Sequence, residues 1–502
     1  MMWGMATTAP GSGTLPDTSS FPRRAFVDGQ FADAASGATF ACVSPVTGET
    51  VFDVAACDTE DVDRAVAAAR RSFDGGAWSR MAPRDRRAVL LRLADLIERD
   101  RDALATMITV DMGKPIGDAK GEVSGSVACF RYFAEAVDKV YGEVGPTGPS
   151  VVSLVTREPI GVVGLVVPWN YPILMPTWKL APALATGNSI VLKPAEQSPI
   201  VALALAELTA EAGIPDGVVN VLPGMGETAG QAIGRHMDVD KVAFTGSSEV
   251  GKMFLVYAGQ SNMKGVQLEC GGKSPNVVFA DVPDVDRAVA ESAEGIFGNT
   301  GQVCSAGSRL LLQESIADEF LAKLATEAAK WRPGDPFAEG TRMGSLVDQT
   351  QMERVLSYID AGTGEGAELR AGGTRAREES GGFYVEPTIF GGARNDMKIA
   401  REEIFGPVVT AIPFGSEEDG IRIANDTIYG LTSGVWTRDI NKAHRFARAV
   451  RSGTVCINCY DRGDNSLPFG GFKQSGIGRD KSLHALENYT QLKTTYINVL
   501  DD

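Results

Sequence analysis

Histidine is scarce. Only three occur in 502 residues, His236, His444 and His484, with none near another and none in a Cys/His cluster. A metal centre or a histidine-driven nucleophile would have to be assembled from distant single residues, so no metal is expected. No G-x-G-x-x-G is present, so the glycine fingerprint of dinucleotide sites is missing. Basic charge is in deficit: 48 Lys and Arg face 64 Asp and Glu, a formal charge of −16, which opposes a nucleic-acid partner or an anionic membrane surface. The longest apolar run, Ile160–Trp169, reaches about half of the roughly 20 residues a membrane span needs, and the N-terminus lacks the basic and apolar regions of a signal peptide. The seven cysteines are odd in number and irregularly spaced, unlike a secreted disulfide framework. A soluble protein of the reducing cytoplasm is expected.

What is present is an ordinary globular composition, 44% hydrophobic and 22% charged, with glycine enriched at 57 residues. Length alone suggests two to four domains. Residues 1–21 read as a mobile tail rich in Gly, Ser, Thr and Pro. Helical periodicity follows from about 58 to 140, with Asp58 as a cap and Pro83 opening a second helix. Residues 145–157 read as a projecting strand or hairpin. From Val162 short apolar runs alternate with helical ones as far as 258, the pattern of a doubly wound parallel sheet. A second α/β stretch follows Gly272, ending in a strand expected over Thr454–Cys459, where C-x-x-C offset would put the two thiols on opposite faces. Residues 489–498 read as a terminal strand.

Cys304 lies in Phe297-Gly-Asn-Thr-Gly-Gln-Val-Cys304, whose small and polar neighbours suit an accessible nucleophile; a buried structural cysteine is the alternative. Glu269 ends an apolar run before a double glycine, where desolvation would raise its proton affinity toward that of a general base; otherwise it is a solvated edge residue. A thiol with a tuned carboxylate suggests acyl-enzyme chemistry. Three turns at strand ends, around Lys193–Glu196, Gly224–Gly226 and Gly246–Gly251, could each present helix N–H groups to a phosphate, although Lys193 alone could be a surface charge.

Together with Pro168-Trp-Asn-Tyr-Pro172, Phe244-Thr-Gly-Ser247, Leu268-Glu-Cys-Gly-Gly-Lys273, Glu402-Glu-Ile-Phe-Gly-Pro407 and Pro468-Phe-Gly-Gly-Phe-Lys473, these segments resemble the NAD(P)-dependent aldehyde dehydrogenase superfamily over about 22–498. Ser261-Asn-Met-Lys264, Glu314–Phe320 and Gly478–Glu487 resemble its γ-glutamyl-γ-aminobutyraldehyde dehydrogenase group, which serves polyamine breakdown. The resemblance implies an α/β fold with a doubly wound NAD-binding domain (22–144 and 163–270), a second α/β catalytic domain (271–487) and a β arm (145–162 with 488–502) that joins copies into a homodimer or homotetramer.

It also implies roles. Cys304 is the nucleophile, Glu269 the base, and Asn170 an oxyanion donor with the Cys304 N–H, with Lys179 behind them. Lys193 and Glu196 would hold the adenosine ribose. Gly246 and Ser247 would lie by the pyrophosphate, and Glu403 and Phe405 by the nicotinamide end. Pro168, Trp169, Gly226 and Gly251 complete the cofactor set. Aligned with the aminoaldehyde group, Glu122 and Asp464 would face a substrate cation, with Tyr171 and Trp178 as aromatic walls. A general aliphatic aldehyde or semialdehyde dehydrogenase is the alternative; a CoA-acylating enzyme and a non-catalytic relative are opposed by the presence of Glu269 and Cys304. Two departures stand out: Cys270 replaces a bulky aliphatic residue, implying looser packing beside the base, and Asp480 stands where many members have Glu.

Overall fold

Runs of β-branched and aliphatic residues with no polar alternation can be strands only where both faces are covered. In the computed structural model, which describes residues 15–499, Val162–Val166 and Ser189–Lys193 are such strands, buried at every position. They are central in an eight-stranded sheet ordered Gln30–Ala32, Ala25–Val27, Val219–Val221, Ser189–Lys193, Val162–Val166, Lys241–Gly246, Gly265–Cys270, Gly476–Ile477. The five middle strands are parallel. From Val162–Val166 the chain first builds outward on one side, then crosses to the other at Lys241–Gly246. The crevice between those two strands is the switch point at which doubly wound sheets bind ligands.

Helices Leu174–Ala185, Ile200–Ala212 and Ser248–Gly259 make the crossovers. The expected N-terminal helices are Thr59–Gly75, Pro83–Arg99, Arg101–Met112 and Ile116–Ala136, the first opened by Asp58 in a capping box with Asp61. A seven-stranded sheet forms the second α/β layer, with Pro275–Val278 parallel to both Arg309–Gln313 and Thr432–Trp436. A separate three-stranded antiparallel sheet joins Thr490–Asn498, Val151–Pro159 and Glu143–Gly145.

Several expected boundaries shift. Val162 belongs to the eight-stranded sheet and not to the arm, because its backbone pairs with Ser189. Residues after 475 leave the second layer, since Gly476–Ile477 pairs antiparallel with Leu268 and Glu269. The expected tail has an anchored end: Phe21 is buried edge-on against Phe52, while residues 1–14, like 500–502 of the arm, lie outside the described residues. The Thr454 strand stops at Ile457, and Asn458 turns left-handed at φ 52°, so strand alternation does not govern Cys459. Cys456 is buried and Cys459 half-buried, both free. The hairpin Thr39–Val43 with Thr50–Ala55 and the helix Gln349–Gly364 were not legible beforehand.

Candidate active site

The loop that carries Cys304 is bent by three consecutive left-handed residues, Asn299, Thr300 and Gly301, at φ 48°, 57° and 69°. Such strain persists only where surrounding structure fixes it. Here a Cβ at Gly301 would strike the Gly406 carbonyl, so this loop packs directly on the 402–407 segment, where Phe405 is itself left-handed at φ 60°. The double glycine after Glu269 has a matching purpose. A side chain at Gly271 would collide with the Glu403 carboxylate, and one at Gly272 with the Cys304 carbonyl. Two glycines thus let one turn bring Glu269, Cys304 and Glu403 around a single hollow.

That inner hollow, of about 200 Å³, is lined among others by Cys304, Glu269, Asn170, Trp178, Gly246 and Phe405. A larger one of about 980 Å³ lies beyond it, with Lys114, Glu122, Tyr171, Val303 and Asp461 in its walls. The segments Asn170–Tyr171 and Val303–Cys304 contribute to both, so they form the partition.

Asn170 donates through Nδ2 to the Gln302 carbonyl at 2.8 Å, while Asn299 donates to the Asn170 carbonyl at 3.0 Å. One hydrogen of the Asn170 amide remains for the hollow. Glu269 is 3% exposed and neither carboxylate oxygen has a hydrogen-bond partner among the described residues. Burial, reinforced by Asp480, holds its proton affinity well above the usual carboxylate range, against the opposing pull of Lys179 and Arg479. Cys304 is half-buried, and its thiol is also pushed up, by burial first and then by the carboxylates of Asp461, Glu403 and Glu269. Lys179 is buried and donates to Asp480 at 2.8 Å.

The switch-point crevice ends at the same hollow. Pro168 and Trp169 follow one flanking strand, and Gly246 and Ser247 follow the other. Ser247 caps the next helix by accepting the Val250 N–H at 3.2 Å. Glu403 accepts from the Gly272 N–H at 3.0 Å, and burial pushes it up to about 7; the Phe405 ring meets Trp169 edge-on at 5.2 Å. Lys193 donates to Glu196 at 3.0 Å at the end of a neighbouring strand, and Gly226 opens the wide turn Gly226–Gly230 at the next.

A family model for the aldehyde dehydrogenase family matches residues 31–495. The chain belongs to the aldehyde dehydrogenase family. The NADP/NAD-dependent aldehyde dehydrogenase PuuC of Escherichia coli K12 is 50% identical over 477 residues, covering 95% of this chain and 96% of that one. Among solved structures, a γ-glutamyl-γ-aminobutyraldehyde dehydrogenase from Burkholderia cenocepacia is similar at TM-score 0.94 and 54% identity, covering 96% of this chain and 97% of that one. An indole-3-acetaldehyde dehydrogenase complexed with NAD+ is similar at TM-score 0.94 and 54% identity, with 95% and 97% covered.

In this aldehyde dehydrogenase the expected substrate residues fare unevenly. Trp178 lines the inner hollow and Tyr171 the outer one, yet each has a lysine over its ring, Lys481 at 5.1 Å and Lys114 at 3.8 Å from the centroid. Glu122 does reach the outer wall, but its carboxylate is committed. One oxygen pairs with Lys114, and the other accepts the N–H groups of Ile173 and Leu174 at 3.1 Å each. It anchors the start of the Leu174–Ala185 helix and has no free charge for a substrate. Asp464 lines neither hollow; it is exposed and accepts from the Ser466 N–H and hydroxyl at 2.8 and 2.6 Å. Three residues earlier, Asp461 takes the place expected of it. Exposed in the wall of the outer hollow, Asp461 receives one hydrogen bond, from Ser305 at 2.8 Å, and no ion pair among the described residues.

The looser packing expected at Cys270 is absent: it is 4% exposed, and a Cβ at Gly251 would lie 2.8 Å from its sulfur. Gly251 therefore serves packing beneath the base rather than the hollow, which it does not line. Gln351 and Arg354 were not foreseen. They hold the Phe405 and Glu403 carbonyls at 2.8 and 3.1 Å; a helix unnoticed in the sequence carries both.

Proposed function

We propose that this enzyme oxidises ω-amino aldehydes, or their γ-glutamyl derivatives, to carboxylic acids with NAD. The observation that carries the substrate class is the outer hollow. Asp118, Glu294 and Asp461 line it without an ion pair among the described residues, and Asp461 stands nearest the nucleophile, bonded to the residue that follows Cys304. A cationic tail there meets unmatched negative charge. The name of the Burkholderia neighbour supports the same reading.

The residues fit NAD: two helix-opening turns flank the switch point, an aromatic pair stands at the inner end, and carboxylates lie where ribose hydroxyls need acceptors. Lys193 and Glu196 would hold the adenosine ribose, Gly226, Gly246 and Ser247 the phosphates, and Pro168, Trp169, Glu403 and Phe405 the nicotinamide end. NAD, when bound, supplies the hydride acceptor. Cys304 sulfur adds to the aldehyde carbon, and the resulting oxyanion takes hydrogen bonds from Asn170 Nδ2 and the Cys304 N–H. After oxidation the acyl group is a thioester on Cys304. Glu269 takes a proton from water, the hydroxide attacks the thioester, and the acid leaves as the sulfur is released.

The three-stranded arm exposes Val144, Leu492 and Tyr496 at 74%, 60% and 68%, apolar side chains that suit coverage by another copy, and a homodimer or homotetramer in the cytoplasm completes the proposal. No described helix is long and apolar enough to cross a membrane. The test of function is a panel of 4-aminobutanal, its γ-glutamyl derivative, 3-aminopropanal and pentanal, with NAD and with or without CoA. The amino aldehydes should exceed pentanal in kcat/KM by about tenfold or more, the value of one well-placed charge contact, independently of CoA. Pentanal as the best substrate would overturn the substrate class, and a CoA requirement would overturn hydrolysis.

A further inference from the structure

Side chains two apart on a strand share a face, so Gln267 and Glu269 project from Gly265–Cys270 to the same side of the sheet. Strand pairing adds Thr245, which lies opposite Glu269 on the neighbouring parallel strand. Against this face lies the turn that follows Gly476–Ile477, and Gly478 packs so closely on Gln267 that a Cβ there would lie 3.0 Å from Gln267 Cγ. The turn presents Asp480. Its backbone is fixed by reciprocal hydrogen bonds with Phe469, both 2.8 Å. Its two carboxylate oxygens are divided: Gln267 Nε2 donates to Oδ1 at 2.8 Å, and Lys179 Nζ to Oδ2 at 2.8 Å. Gln267 and Asp480 are each 1% exposed, and Lys179 is fully buried.

We propose that Gln267 is a positioning residue of the base: its amide holds Asp480 against Lys179 and so fixes the charge that faces Glu269. A carboxylate only accepts hydrogen bonds, so the amide must turn its NH2 toward Asp480. That leaves Gln267 Oε1 without a hydrogen-bond partner among the described residues, as are Thr245 Oγ1, Tyr489 OH and both oxygens of Glu269. The amide gives up one buried hydrogen bond to make the one with Asp480, and the cost of an unmet buried acceptor is comparable to the gain of a charged bond. Packing alone would be served as well by a methionine of similar length.

The groups facing Glu269 are Asp480 and Arg479 from the turn, Lys179 from the Leu174–Ala185 helix, Tyr489 before the terminal strand, Cys304 from its loop and Cys270 next door. While Asp480 holds both donors, its carboxylate is kept against Lys179. Without the Gln267 donor, Asp480 Oδ1 is left buried and unmatched, and the carboxylate is free to turn away from Lys179. Lys179 is then uncompensated and draws the proton from Glu269.

The inference rests on the reading of Glu269 as the deacylation base, and its test uses the whole enzyme with NAD and the best aldehyde of the panel. Steady-state kcat is measured against pH for the wild type, Gln267→Met, Asp480→Asn and the double variant. Gln267→Met should move the acidic limb down by about one pH unit and lower the plateau several-fold, since a base of lower proton affinity is a weaker one. The double variant should match Asp480→Asn alone, because a residue that acts only through Asp480 has nothing further to remove. If Gln267→Met fails to fold, Gln267→Thr, too short to reach Asp480, should give the same shift. A limb that stays in place while kcat falls evenly at all pH values, or additive losses in the double variant, would overturn the proposal and leave the base reading intact. A limb that survives in Glu269→Gln would overturn both.

Discussion

The two hollows differ in how their polar atoms are matched. In the outer one, charges are plentiful and several are already paired: Glu122 with Lys114, and Glu291 with Arg287 and the Tyr460 N–H. In the inner one they are few, and the Glu269 carboxylate has no hydrogen-bond partner among the described residues. A matched charge is an anchor for the fold; an unmatched buried carboxylate is destabilising and is retained where a proton must be exchanged. Like Asp118 and Glu294, Asp461 has no ion pair among the described residues, and it is the one of the three bonded to the residue that follows Cys304.

This contrast breaks down if inner substitutions discriminate between aldehydes or outer ones do not. The largest effect should come from Cys304→Ala. Cys270, the other cysteine lining the inner hollow, is buried with its sulfur packed on Gly251, so oxidation of charged and neutral aldehydes alike should fall to background while NAD still binds, as read by NADH formation and by titration of intrinsic fluorescence. Retained turnover with either aldehyde would remove Cys304 from the chemistry.

Next is Glu269→Gln. Loss of a general base typically costs about 10²–10⁴-fold, so NADH should appear as a burst followed by a slow steady state, with acyl-enzyme trapped in acid. The sign with pH follows from burial. Glu269 has a raised proton affinity, its reactive form is the ionised one, and wild-type kcat should climb as pH rises through that ionisation. In the variant the limb should vanish. Absence of both burst and trapped intermediate would place Glu269 before hydride loss.

The sharpest form of the contrast pairs Glu122→Gln with Asp461→Asn. Removing one member of a buried ion pair costs about 3–5 kcal/mol, so Glu122→Gln should show in denaturant unfolding and leave the preference between 4-aminobutanal and pentanal unchanged. Asp461→Asn should do the reverse, raising KM for 4-aminobutanal about five- to tenfold while KM for pentanal and the unfolding midpoint hold. Equal KM changes for both aldehydes would mean that Asp461 shapes the Ser305 loop and does not read charge.

The same contrast explains what was legible in sequence. Local pattern carries strand and helix identity, so the apolar runs at Val162–Val166 and Ser189–Lys193 and the cap at Asp58 could be read directly. The inner residues were legible through short contiguous motifs whose spacing is set by one turn each. The outer ones were not. That Glu122 is spent on Lys114 depends on a loop eight residues earlier and on a helix start 51 residues later. Asp461 rather than Asp464 faces the hollow because Asn458 and Asp461 adopt left-handed conformations, which no side-chain periodicity announces. Gln267 had no signal at all, since its partner is 213 residues away.

The smallest expected effect lies outside both hollows, at Glu196. Its carboxylate is 28% exposed and half committed, receiving Lys193 Nζ at 3.0 Å. Lys193 also gives a hydrogen bond to the Pro194 carbonyl at 2.8 Å, and burial lowers its proton affinity. An acceptor placed by a buried lysine suits two ribose hydroxyls and repels a 2′-phosphate, yet the lysine offsets part of that repulsion. NAD should be preferred over NADP by only about tenfold in kcat/KM, the factor that roughly 1.4 kcal/mol provides. Glu196→Gln keeps an acceptor and removes the charge, so it should bring the two cofactors within about threefold, chiefly by lowering KM for NADP, with kcat and aldehyde preference untouched. A variant with an unchanged ratio would place the Glu196 carboxylate away from the ribose, and a change in aldehyde preference would show that cofactor and substrate ends of the cleft are coupled.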